Sequence, residues 1–209
     1  MNIEEHKENK TNMYEKDNHL EIHIWEAFKS GDRIAFEQLL NNYYPKLLNY
    51  GARLVSNRDF AQDCLQDLFI DLWNRRENLN LPQSIHAYLA TSYRRRLFQE
   101  KERSFWNKKV SDLEDDYDIE VQFNIESYLI HNEIEHETLL KLKHHLSTLT
   151  KRQREVLYLR FFQELEYDQI SEIMSINHHS AINLVYEALK FLRKNWVMSI
   201  CLSFLEMIK

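Results

Sequence analysis

Apolar residues recur along this chain at three- and four-residue spacing, in blocks separated by short polar stretches. Glu21–Ser30 predicts a short helix carrying Ile22, Trp25 and Phe28, stopped by Gly31. Asp32 is placed to cap the helix that follows. There Phe36, Leu39, Leu40, Tyr43, Leu47, Gly51 and Leu54 form one stripe, and Pro45 inside it predicts a kink or a break. Ser56-x-x-Asp59 reads as a capping box with Asp in place of Glu. It would open an amphipathic helix with Phe60, Cys64, Leu65, Leu68, Phe69 and Leu72 on one face. After a polar loop with Pro82, a helix from about Ser84 turns Tyr88, Leu89, Ser92, Tyr93 and Leu97 inward. Its Arg94-Arg95-Arg96 run faces outward.

Periodicity then weakens. Ser111–Glu126 is acidic and reads as a linker. A second apolar series starts near Ile134, with Leu139, Leu142 and Leu146 in register, and Thr150-x-x-Gln153 is a capping box for a helix through Phe162. Tyr167–Leu192 holds the clearest pattern. A first helix carries Ile170, Ile173 and Met174, Ser175-Ile176-Asn177 makes a turn, and a second helix carries Ala181, Leu184, Val185, Ala188, Leu189 and Leu192. This predicts a helix-turn-helix, with Ser171 as the small residue at the crossing. Its outward residues are His178, His179, Ser180, Ile182, Asn183, Tyr186 and Glu187, several of them short polar groups able to reach base edges in a major groove. An ordinary helical hairpin would show the same spacing.

The 209 residues include only 2 Gly and 2 Pro. Sheets need many turns, and turns with positive φ favour Gly, so the chain reads as all-α with short connections. The division is a disordered tail (1–20), a helical domain (21–106), an acidic linker (107–133), a second helical domain (134–195) and an apolar helical extension (196–209). In that extension Val197, Ile200, Cys201, Phe204, Leu205 and Ile208 repeat at helical spacing. Cys64 and Cys201 read as small buried hydrophobes in a reducing, cytoplasmic compartment. No signal peptide is expected. The apolar run at Trp196–Ile208 is interrupted by Ser199, Ser203 and Glu206 and is too short for stable membrane insertion.

The net charge of −6 has the wrong sign for a free-standing DNA binder. The charge is unevenly placed, however. Arg94–Lys109 holds seven Lys/Arg against two Glu, while Ser111–Glu137 holds ten Asp/Glu and no Lys or Arg. A basic surface is thereby separated from an acidic tether.

Two stretches resemble a known family. Leu146–Leu192, "LSTLTKRQREVLYLRFFQELEYDQISEIMSINHHSAINLVYEALKFL", closely resembles region 4 of sigma-70 family RNA polymerase sigma factors. Ala61–Trp73, "AQDCLQDLFIDLW", resembles the region 2 signature, and Ser84–Leu97 the helix that follows it. With no large domain between them, the resemblance is to the small extracytoplasmic-function group. It implies a sigma factor that binds core RNA polymerase and directs promoter-specific initiation. Asp63, Gln66, Asp67, Ile70 and Asn74, a stripe opposite the apolar face, would then dock on the clamp helices of the polymerase largest subunit. Arg94, Arg95, Arg96 and Arg103, with Lys108 and Lys109, would meet the minus-ten element and its opened strand. Aromatic neighbours (Tyr93, Phe98, Phe105, Trp106) suit stacking on bases. The outward residues of the second helix would read the minus-thirty-five element while region 4 touches the polymerase flap. The linker would thread the polymerase interior.

Three positions depart from the family: Arg95 stands where Asn is frequent, and Ile182 and Glu187 stand where Lys or Arg is usual. Glu187 would repel phosphates, although a carboxylate can accept from cytosine.

Catalysis and cofactors find no footing. His144-His145 and His178-His179 are adjacent pairs that diverge on a helix, and His131 and His136 are five apart, a poor chelate. No Gly-rich phosphate loop is present. No enzyme activity, cofactor or metal site is expected. A stand-alone helix-turn-helix regulator, binding DNA without polymerase, remains the alternative, and a module that binds only protein is a third. The extension at 196–209 reads either as a helix packing on region 4 or as a docking surface for an anti-sigma factor.

Overall fold

The computed structural model describes residues 19–106 and 144–207, with side chains for 19–103 and 144–194. Of the tail expected at 1–20, residues 1–18 lie outside the described residues, while 19 and 20 belong to the first helix. The acidic linker at 107–133 and the apolar positions Ile134, Leu139 and Leu142 also lie outside the described residues. Among the described residues the structure is helical, without strands. Helix α1 (19–29) is followed by α2 (Arg33–Val55), α3 (Arg58–Arg75), a 3-10 turn at Arg76–Asn78 and α4 (Ile85–Trp106). After a helical turn at 144–147 come α5 (Lys151–Phe161), α6 (Tyr167–Met174) and α7 (His178–Met207).

Gly31 adopts φ +94° after α1, and the Asp32 carboxylate accepts from the amides of Ile34 and Ala35. Both follow the sequence expectation. Of two local expectations, one is narrowed, since the kink or break expected at Pro45 is not a break, and one is corrected. Helix α2 runs through Pro45 without a break. Pro45 and Asn41, whose carbonyl loses its helical partner, are both exposed, so water can take the place of the missing bond. Tyr43, Leu47 and Leu48 on the other face stay buried. Ser56 does not cap α3. It ends α2 at φ 51°, and Asn57 caps α3 by accepting from the Phe60 amide at 3.0 Å. Asp59 then sits in the first turn, where its charge suits the helix dipole.

Aromatic rings pin the first four helices together. Trp25 lies 5.4 Å from Phe28 and 5.7 Å from Tyr88, Phe28 stacks on Phe36, and Phe36 lies 5.0 Å from Trp73. The Trp25 indole N–H donates to the carbonyl of Asn80, which ties α1 to the loop before α4. In the second set, Val156, Leu159, Ile170, Ile173, Met174, Ala181, Val185 and Ala188 are buried together. The Thr150–Gln153 capping box forms as the sequence predicts. The helix-turn-helix forms at the predicted turn, with Ser175 left-handed at φ 52°.

Helix α7 continues to Met207, so the predicted extension is not a separate element. It continues the second helix of the helix-turn-helix. Leu189, expected inward, is 43% exposed. At 30 residues α7 spans roughly 45 Å, against roughly 12 Å for the 8-residue α6. The two helical sets are in contact, α4 against α6 and α2 against α5.

Candidate polymerase and promoter interfaces

Cys64, Leu65, Leu68, Phe69 and Leu72 of α3 face the core. The period of the helix therefore puts Asp63, Gln66, Asp67, Ile70 and Asn74 on the opposite side, and all five are exposed. Ile70 exposes 57% of its surface among carboxylates and amides. A stripe of this kind offers one apolar anchor with polar flanks, the pattern of a protein-docking face. Burial pushes the Cys64 thiol up to about 11, which keeps it protonated and unreactive.

The basic run on α4 does not face outward as a unit. Arg95 is exposed. Arg96 turns back to Asp71 on α3 at 2.6 Å, and Arg103 pairs with Glu100 at 2.9 Å. Arg94 is mostly covered, with 15% of its side chain exposed, and makes a two-pronged contact with Glu155 of α5. Between α3 and α4 an open groove of about 410 Å³ is lined by Asp71, Arg75, Tyr88, Arg95, Arg96 and Arg103, among others. It combines cations with one aromatic wall, which suits a nucleobase together with its phosphate. Tyr93, expected as a stacking partner, is fully buried, its hydroxyl donating to the Ala61 carbonyl at 2.6 Å. Burial holds that phenol well above its ordinary range. Phe98 is half-buried beneath the Arg94 guanidinium, and the side chains of Phe105 and Trp106 lie outside the described residues. Tyr88 is the aromatic residue that lines this groove. The sequence assigned it to the core, because a half-exposed ring at a groove edge obeys the same periodicity as a buried one.

At the N-terminus of α7, His178, His179, Asn183, Tyr186 and Glu187 are exposed, and Ser180 and Ile182 are half-exposed. Asn177 caps the helix, accepting from the Ser180 amide at 2.7 Å. His178 is held against Asp168 of α6 through its Nδ1. Ser171 returns its hydroxyl to the Asp168 carbonyl. Lys190 stands 3.8 Å from Glu187 and 5.7 Å over the Tyr186 ring, so the acidic departure carries its own counter-charge.

The sequence does not single out Glu155, which falls inside the stretch that resembles region 4. It is the only buried charged residue among those described. Its one signal is that it opens a run, Glu155–Leu159, that is buried on every side of a helix. Tyr50 of α2 donates to its Oε1 at 2.7 Å. Among the described residues, no group of His, Cys, Asp and Glu could hold a metal ion. No described helix is long and apolar enough to cross a membrane.

Comparison with known proteins agrees with this layout. Residues 39–104 match sigma-70 region 2 and residues 139–192 match sigma-70 region 4. The chain is 30% identical over 176 residues to RNA polymerase sigma factor YlaC of Bacillus subtilis, covering 80% of this chain and 95% of that protein. Its fold is similar to that of CnrH in complex with the cytosolic domain of CnrY (TM-score 0.52, 16% identity, 83% of this chain and 95% of that one). It is also similar to the sigma factor RpoE in complex with the anti-sigma factor NepR from Bartonella quintana (TM-score 0.53, 18% identity, 77% and 96%). With both regions in family order and a relative matched over nearly its whole length, the chain belongs to the sigma-70 family of RNA polymerase sigma factors, in its extracytoplasmic-function group.

Proposed function

We propose that this sigma factor divides its work among three surfaces. The α3 stripe of Asp63, Gln66, Asp67, Ile70 and Asn74 docks on the clamp helices of core polymerase. The groove beside Arg95, Arg96 and Arg103, together with Arg94, takes the opened strand of the minus-ten element. The N-terminal face of α7, from His178 to Glu187, reads the minus-thirty-five element, and region 4 touches the flap. The observation that carries this reading is that the α3 stripe and the α7 face both stand open to solvent while the opposite faces of the same helices are buried.

The net charge of −6 fits such a division. Two modest DNA contacts held on one polymerase gain affinity through effective concentration, so the free protein need not bind DNA well. The site of action is the cytoplasm, with polymerase. An anti-sigma factor is a further partner, a reading supported by the fold shared with the sigma factor RpoE of Bartonella quintana, solved in complex with the anti-sigma factor NepR.

Run-off transcription with core polymerase on genomic fragments tests the function and returns the promoter sequence. Initiation at discrete sites, dependent on this protein, is the expected result. Tight binding of the isolated protein to duplex promoter fragments, with no capture of core polymerase, would instead support a stand-alone regulator.

A further inference from the structure

Beside the buried apolar residues that the two helical sets share, their contact holds a group of polar and aromatic side chains. The Arg94 Nε and Nη2 reach the two oxygens of Glu155 at 2.8 and 3.3 Å, and Tyr50 donates to the same carboxylate. The rings of Tyr50 and Tyr158 stack at 6.1 Å, Tyr158 stacks on Phe162, and Arg53 lies over Tyr158. At the other end Gln169 of α6 donates to Ser84, the residue capping α4, at 2.8 Å. The polar share of this contact is what interfaces that open and close also show.

The geometry at Arg94 is that of a guanidinium fork gripping a planar oxyanion. A DNA phosphate presents the same two-oxygen edge to the same fork. We propose that Glu155 is an internal phosphate mimic: in the free protein it occupies the Arg94 fork, latches region 4 onto region 2, and must be displaced before Arg94 can meet promoter DNA. This rests on the proposed role of Arg94 at the minus-ten element. The closed arrangement also conflicts with simultaneous reading of both elements. Their names place them about 25 base pairs apart, roughly 85 Å at 3.4 Å per base pair. Here the helices that carry the two reading surfaces are joined through the Ser84–Gln169 bond on one side and the His178–Asp168 contact on the other. Burial together with the Glu155 charge keeps the Tyr50 phenol protonated, so it serves the latch as a fixed donor.

The test compares the full-length wild type with Glu155→Gln, Tyr50→Phe and the surface control Glu172→Gln. The readouts are the radius of gyration from solution scattering and the affinity for a fluorescein-labelled 20-mer single-stranded oligodeoxynucleotide. A closed fraction above about nine-tenths would mask Arg94 about tenfold. Glu155→Gln should therefore expand the protein and tighten oligonucleotide binding about tenfold. Tyr50→Phe, which keeps the stacked ring, should shift both readouts the same way by less, and Glu172→Gln should shift neither. Adding Arg94→Ala to Glu155→Gln should return the affinity to the wild-type level. Unchanged size and affinity in both Glu155→Gln and Tyr50→Phe, with native helicity, would overturn the proposal. So would an affinity gain that survives loss of Arg94, since the gain would then be a general charge effect. Run-off transcription by the wild type reports separately on the proposed function. Its absence would sink that reading, while the scattering result still decides whether Glu155 holds the two regions together.

Discussion

Gly51 shows how one position can carry two helices. A Cβ built there would lie 2.2 Å from the Tyr93 hydroxyl oxygen and 2.4 Å from its ring. The ring cannot retreat, because it is fully buried and bonded to Ala61. Gly51→Ala should therefore destabilise the protein by about 2–4 kcal/mol, through overpacking and loss of that hydrogen bond. Urea unfolding of the variant checks this, and a loss below about 0.5 kcal/mol would show that Tyr93 has room to move. From sequence, Gly51 is only a weak member of an apolar stripe, since nothing in the pattern reveals a ring pressed against it. His86 carries a pH dependence. Burial first, and the Lys46 charge second, lower its pKa from 6.5 to about 4, with a bond to Gln163 opposing them. Between those values the unfolded chain takes up a proton that the folded protein refuses. Stability is therefore full above pH 6.5 and falls as the pH drops toward 4. His86→Gln should lose less stability than the wild type between pH 7 and pH 5, measured by urea midpoints at each pH. Equal losses would mean that His86 is not held neutral.

At the scale of elements, start and stop signals were largely legible. Gly31, Asp32 and the Thr150–Gln153 box act where the sequence put them, because caps depend on residues within one turn. The exceptions have local causes as well. Ser56 and Asn57 are both competent caps, and the end of α2 claims Ser56 first. The break expected at Pro45 is absent because the lost bond falls on the wet side of α2. Helix α7 gave no stop signal that periodicity could expose, and it runs to Met207. Truncation at Asn195 separates the two readings of its far half. If that half only supports region 4, the truncated protein should melt several degrees lower yet bind an anti-sigma partner as before. Loss of partner binding with an unchanged melting temperature would assign it to docking instead.

Across the whole molecule, the arrangement that matters for function is the closure of region 4 on region 2. Arg94 reads from sequence as one of three equivalent outward cations. In the structure only Arg95 stands clear, because Asp71 and Glu155 draw in its two neighbours. The salt bridge joins residues 61 apart in sequence, and Tyr50 reaches Glu155 across 105 residues. Such pairings leave no trace in local periodicity. An ion pair this far from water is strongly coupled to its surroundings, and removing one partner leaves the other uncompensated. That is why a single amide substitution at Glu155 is expected to move the whole protein.

The sequence by itself determined the all-helical class, the helices and most of their caps, the two family regions and the exposed stripe on α3. Each of these follows from period, composition or neighbours within one turn, which a linear chain displays. Only the tertiary structure decided which cations remain free, that Tyr88 rather than Tyr93 faces the groove, and that Glu155 is buried between the two regions. Those depend on which surfaces meet across long separations, and a helical period says which side of a helix is apolar without saying what will be packed against it.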